Sequence, residues 1–211
     1  MIYLLNTNED AIIMARIKSS DSTSKREVII KEATKLFKDR GFAASSMRDL
    51  AEHVGVEAPS LYNHIQSKTE LLNIICFNVA NRFTQKISEV ETEKLSVIAK
   101  TEKLLRFHIQ EMIHNYGEVY VSDREWRNMK DPELTEFREL RRNYRRRFSQ
   151  IIQKGIDDNE IKDIDANTAV MIFLNSIAAV DQWHRILHKV SSIELENNMI
   201  TIMINGIKHK E

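Results

Sequence analysis

One cysteine, two prolines and five glycines in 211 residues exclude several architectures at once. A lone Cys76, set among Ile74, Ile75 and Phe77, rules out a disulfide framework, reads as a small buried hydrophobe and fits a reducing, cytoplasmic setting. The scarcity of turn formers and the lack of sustained period-two alternation argue against sheet. Long apolar runs are missing too. The longest, Ala169–Val180, is interrupted by Asn175 and Ser176 and is too short to span a bilayer, so no membrane partner is expected. Net charge is absent, with 31 Lys and Arg against 31 Asp and Glu. No overall field draws the chain to nucleic acid or membrane, and any such binding has to be built locally. The sequence holds no Walker loop, G-x-G-x-x-G, H-E-x-x-H, C-x-x-C or G-x-S-x-G, so no catalytic residue, cofactor or metal site is expected.

What is present is helical punctuation. Ser24 with Glu27, Ser67 with Glu70 and Ser191 with Glu194 fit the S-x-x-E capping box, and Ser46 with Asp49 is a weaker version. Asp131–Pro132 reads as a cap followed by a residue tolerated in the first turn. Gly41, Gly55 and Gly155 stand where a left-handed residue would end a helix. The spacing predicts helices near 24–39, 46–54, 59–65, 67–90, 94–115, 118–129, 132–154, 165–187 and 192–208, an all-α chain. Residues 1–22 read as an N-terminal arm, either a docking tail or a start misassigned ahead of Met14. Residues 23–70 read as a small bundle, rigidly joined through an unbroken helix to a larger domain over 71–211.

In helix 24–39, Val28, Ile29, Ala33, Leu36 and Phe37 form an apolar stripe. "RGFAASSMRDLAEHVGV" follows, its helix closed by Gly55, and "APSLYNHI" opens another helix near Pro59. Two short helices joined by a tight glycine turn and braced by a third are a helix-turn-helix arrangement. The stretch "IIKEATKLFKDRGFAASSMRDLAEHVGVEAPSLYNHIQSKTELL" resembles the DNA-binding domain of the TetR family of bacterial repressors over about residues 25–75. The F-x-x-x-G-F/Y, L/I-A-x-x-x-G-V, L-Y-x-H-I/F and S-K-x-E-L-L elements stand in order.

The resemblance implies double-stranded DNA as a partner and a homodimer. Helix N-termini offer free N–H groups to phosphate, which nominates Ser45, Ser46 and Lys68, with Ser67 beside it. Tyr62 reaches a phosphate or only packs. His64 resembles the family's phosphate-side histidine, with a structural hydrogen bond as the alternative. Base reading falls to Ser60, Asn63 and Arg48, since Asn pairs bidentately with adenine and Arg with guanine. At Glu57, Ala58 and Pro59 the sequence departs from the Ser, Lys and Gly common in the family. From Ala15 to Glu70 there are ten basic and eight acidic residues, a surplus of two. Contacts therefore depend on placement, with Arg16, Lys18, Lys25 and Arg26 of the arm region available to help.

The remaining two-thirds follow the family's plan of a ligand-binding and dimerisation domain. "AVMIFLNSIAAV" and helix 192–208 are apolar on more than one face, which a second subunit would cover, so the last two helices are the expected dimer interface. Arg138, Arg141, Arg142, Arg145, Arg146 and Arg147 lie near Glu133, Glu136 and Glu139, as in a face laced with salt bridges. Arg141 falls inside the apolar stripe of that helix and Arg145 at its edge. A buried arginine needs either an internal carboxylate or an acidic ligand. Trp126, Arg127, Arg141, Tyr144, Arg145 and Trp183 are the candidate ligand contacts. The "WR" pair ahead of a proline loop and an Arg-rich helix resembles the branch of the family that senses coenzyme A thioesters. His184 and His188, spaced i, i+4, lack a third metal ligand, and His108 reads as core. A helical enzyme or small-molecule carrier is the alternative to a regulator, and it would need a catalytic pair.

Overall fold

The computed structural model describes residues 22–185 and 190–209. Among them the order is α1 (Ser22–Arg40), α2 (Met47–Val54), α3 (Ala58–Tyr62), α4 (Lys68–Thr92), α5 (Val97–His114), α6 (Tyr116–Glu125), a 3₁₀ turn (Trp126–Asn128), α7 (Glu133–Asp157), α8 (Ala166–Ala178), α9 (Val180–Arg185) and α10 (Ser192–Ile207). The described residues hold no strand, only an isolated bridge between Ile161 and Lys208. None of the helices is long and apolar enough to cross a membrane.

Two compact units share the chain. The first gathers the described residues up to Phe77 together with Val121–Leu134. Its buried residues include Ile29, Ala33, Leu36 and Phe37 from α1, Leu50, Ala51 and Val54 from α2, and Leu61 from α3. Leu71, Leu72, Ile75 and Cys76 from the start of α4 are buried too. Each buried Leu, Ile or Phe contributes about 1.5–3 kcal/mol, so short helices that could not persist alone are held by this face. The second unit comprises Asn78–Tyr120 with Thr135 onward. There α5 packs against α8, α9 and α10, around Leu104, Leu105, Ile109, Phe148, Phe173, Ile177 and Ile200.

Local chemistry accounts for most boundaries. Ser46 and Asp49 form a complete capping box at α2, and the hydroxyls of Ser67 and Ser191 accept from Glu70 N and Glu194 N. Gly41 and Gly55 take φ of +81° and +74°, the left-handed region that a Cβ disfavours.

Four expectations need correction. Helix α1 already contains Ser24, so that residue does not start it. Helix α5 begins at Val97 rather than 94, because the Ser96 hydroxyl accepts from Ala99 N. Gly155 lies inside α7 and ends nothing. A Cβ there would stand 2.7 Å from Val97 Cγ1 and from Ile161 Cδ1, so the glycine permits close packing, while Asn159 takes the left-handed conformation beyond the helix. The predicted helix 165–187 breaks after Ala178. Alanine favours helix, so nothing local announces that break.

Candidate nucleic-acid interface

The helix-turn-helix is fixed from inside. Leu61 and Ile65 are buried at 0% and 1% exposure, which anchors α3 and turns Ser60, Tyr62 and Asn63 outward. Tyr62 is 51% exposed, high for so large an apolar ring. Asn63 caps α3 through its backbone, leaving its amide group without an intramolecular partner among the described residues. The His64 ring is partly covered and likewise unbonded. Arg48 is 88% exposed, with only a loose 3.8 Å approach to Glu52. Ser60, Tyr62, Asn63, His64 and Arg48 thus offer their polar atoms to an external partner.

Three nominated residues are placed differently. Ser45 is buried and its hydroxyl donates to Gly41 O at 2.7 Å, which braces the turn after α1. Ser46 is exposed, but its hydroxyl bonds the Asp49 carboxylate, and Asp49 Oδ2 accepts from Ser46 N at 2.8 Å. The Ser46 hydroxyl, then its amide, holds the Asp49 carboxyl below the usual carboxylate range. Lys68 donates to Phe42 O at 2.7 Å and Ser45 O at 2.6 Å, with its ammonium 4.3 Å from the Phe42 ring centre. Two of its three N–H bonds are therefore committed to the loop between α1 and α2. The short motif S-K-x-E-L-L indicates nothing of this clamp, because the partners lie 23 and 26 residues away. Glu57 is exposed at the N-cap of α3 with no capping bond. Arg26 pairs with Glu70 at 3.2 Å, and Arg16 and Lys18 lie outside the described residues.

The six candidate ligand contacts divide. In the first unit Arg127 is exposed, its guanidinium 4.6 Å from the Trp126 ring centre. In the second, Tyr144 is buried and its hydroxyl is hydrogen-bonded to His108 Nε2 at 2.7 Å, with Phe83 and Phe148 packed around the pair. Desolvation there pushes the His108 pKa down to about 3 and the Tyr144 pKa up. Trp183 donates to Val190 O at 3.1 Å. Arg141 is partly covered, 5.7 Å from the Phe137 ring centre. Arg145 is exposed and lines an outer groove to which Arg141, Tyr144 and Trp183 do not contribute. His184 bonds Met112 O, whereas His188 lies outside the described residues.

A charged clasp escaped the sequence reading. Arg82 on α4 bonds Glu111 of α5 at 2.9 Å and Glu118 of α6 at 2.8 Å, and Asn115 donates to Glu111 at 2.9 Å. Burial opposes the charge on Arg82, but the two carboxylates outweigh it and raise its pKa. Its partners are 29 and 36 residues distant, beyond any helical-pair rule.

Comparison with known proteins adds relatives to this geometry. Residues 29–75 match the family described as bacterial regulatory proteins, tetR family, and residues 94–207 match the tetracyclin repressor-like C-terminal domain. The HTH-type transcriptional repressor KstR2 of Mycolicibacterium smegmatis is 22% identical over 94% of this chain and 98% of its own. The solved structure of the ketosteroid transcriptional regulator KstR2 of Mycobacterium tuberculosis superposes with a TM-score of 0.82 at 16% identity, covering 92% of this chain and 98% of that one. AibR, solved in complex with isovaleryl coenzyme A and operator DNA, gives a TM-score of 0.75 at 18% identity over 84% and 96% of the two chains. At these identities the structural likeness establishes the fold.

Proposed function

This chain belongs to the TetR family of bacterial transcriptional regulators, and from that premise we propose that it is a homodimeric repressor that reads a palindromic operator with α3 and leaves it when an effector binds. The observation that carries the reading is the two-sidedness of α3: Leu61 locked inside, Ser60, Tyr62 and Asn63 presented outside. Asn63 and Arg48 read base edges, while Tyr62 and His64 contact phosphate. Lys68 holds the loop that positions α2 and has one N–H left for a phosphate.

The dimer uses the last two long helices. Met171 and Ile172 on α8 are 56% and 53% exposed, and Ile193 and Ile202 on α10 are 72% and 73% exposed. Side chains of this size left in water on two helices of one domain favour cover by a second subunit. A symmetric pair sets two reading heads about 34–36 Å apart, or a multiple of that, to match two half-sites.

The effector is a small acidic and apolar molecule of the acyl-coenzyme A class, taken up by the C-terminal domain. The resemblance of "WR" and the Arg-rich helix to thioester sensors supports this, as does the coenzyme A ester named in the AibR complex. Helix α4 contributes residues to both units, and the Arg82 clasp ties it to α5 and α6. An effector acts by binding one setting of α4 more tightly than the other.

The test is to sequence genomic fragments retained by the purified protein, with and without a panel of acyl-coenzyme A compounds. The expected result is a palindromic motif lost on addition of one acyl class. Retention of fragments without a shared motif would overturn the DNA reading, and a motif indifferent to every thioester would overturn the effector.

A further inference from the structure

The outer face of α7 carries a feature that DNA reading does not use. A groove of about 410 Å³ is lined by Arg142, Arg145, Arg146, Ser149, Gln150 and Gln153, with Ala166 and Asn167 at the start of α8 across from them. Positions 142, 145, 146, 149, 150 and 153 share one helical face and extend it over roughly 16 Å at 1.5 Å per residue.

The charge on this face is unbalanced. Residues 138–147 contain six arginines and one glutamate, Glu139. Of the pairing expected with Glu133, Glu136 and Glu139, the described residues show Arg142 with Glu139 at 2.9 Å. Arg147 turns away to Glu91 at 2.9 Å and Ser88 at 2.8 Å. Arg146 bonds only the neutral Asn143, and Arg145 has no hydrogen-bond or ionic partner among the described residues. Like charges three and four residues apart repel, so this arrangement is costly when empty and relieved by an anion.

A second observation points to a ligand. Ser149 is 9% exposed and lines the groove, yet its hydroxyl has no hydrogen-bond partner among the described residues. That hydroxyl opens on the groove and keeps its donor and acceptor capacity for a bound molecule. A ligand oxygen in the groove would supply the partner.

We propose that this groove binds a nucleotide-sized phosphate ester, its phosphates held by Arg142, Arg145 and Arg146 with the Ser149 hydroxyl, and its polar body by the amides of Gln150, Gln153 and Asn167. Guanidinium forks match phosphate oxygens bidentately. One inorganic phosphate would fill only the arginine end, whereas the amides one to two turns further along suit a base or sugar. The assignment does not rest on the thioester reading. The phosphates can belong to a free nucleotide or to the nucleotide end of a coenzyme A ester.

Calorimetry on the full chain tests it with pyrophosphate, ADP, coenzyme A and adenosine. Pyrophosphate and ADP are expected to bind, with adenosine much weaker. The double variant Arg145→Gln/Arg146→Gln should weaken ADP by about tenfold or more, and Arg145→Lys, which keeps the charge but not the fork, by less. Both sites are exposed, and unchanged thermal unfolding of the variants checks the fold. Arginine-dependent competition of coenzyme A with ADP identifies the thioester source, and ADP binding without competition identifies a free nucleotide. No heat with ADP or pyrophosphate, or binding that ignores the double substitution, overturns the proposal. So does a loss of operator affinity in the double variant without any ADP binding, which would assign the arginines to DNA. Thioesters that fail to release DNA while ADP still binds through the arginines would sink the effector reading alone.

Discussion

The two units solve opposite problems. The first is small and makes its chemistry by exposure: α3 is five residues long, pinned by Leu61, and everything polar on it faces out. The second is larger and makes its chemistry by enclosure, with Arg82 between two carboxylates and His108 against Tyr144 inside packed rings. In the first, side chains are kept free for an external partner. In the second, Arg82 and His108 are held by internal partners and set how helices lie against each other.

Removing Arg82 should show the contrast most strongly. Arg82→Met leaves Glu111, whose side chain is 9% exposed, without its cation. Discounted for the partial exposure of Arg82 and Glu118, the loss should be about 3 kcal/mol in urea unfolding. Arg82→Met/Glu111→Leu should recover most of it. If the double variant is no better than the single, the clasp is not the source.

Lys68→Met removes two charge-assisted bonds to backbone carbonyls and should cost about 2 kcal/mol. The salt dependence of DNA binding then separates clamp from contact. An unchanged slope makes Lys68 purely a clamp, whereas a slope reduced by about one adds a phosphate contact.

Asn63→Ala should leave stability alone and relax base preference at one position per half-site by about 1.5 kcal/mol, measured by binding to a panel of single-substituted operators. A uniform loss across the panel would move Asn63 to the phosphates.

The smallest effect is a pH dependence confined to the second unit. Folding depresses the His108 pKa to about 3 from an ordinary 6.5. The unfolded chain therefore binds more protons in that window. Stability is full well above about pH 6.5 and falls as pH drops towards 3, with the first loss of about 1 kcal/mol reached between about pH 7 and pH 5.7. His108→Phe should flatten this part of the curve, and a wild-type profile level over that range would show the ring is not desolvated.

The same contrast explains what the sequence reveals. In the first unit the determinants are local: Ser46 with Asp49, Gly41 and Gly55, and the alternation of Leu61 with Tyr62. Caps and left-handed positions can be read from a few neighbouring residues, so the bundle was legible together with the outward positions Ser60 and Asn63. Ser45 misled because a serine beside a helix start has two neighbours to bond, and Gly41 O claims it. In the second unit the informative contacts join residues 29 to 90 apart, such as Arg82 with Glu111 and Arg106 with Glu196. Helical periodicity places each residue on a face but does not say which partner meets it. Arg145 reads as the edge of an interior stripe, and the structure leaves it exposed on the outer groove. Gly155 read as a stop because close approach by Val97 and Ile161 leaves no local mark.

The most direct measurement is a titration of the full-length protein onto its own selected fragment and onto a scrambled duplex, followed by fluorescence anisotropy between about 50 and 200 mM salt. If α3 reads bases from a symmetric dimer, the selected duplex is preferred at every salt concentration, two protomers bind each site, and affinity falls steeply as salt rises. Equal affinity for the two duplexes, or one protomer per site, would contradict the account.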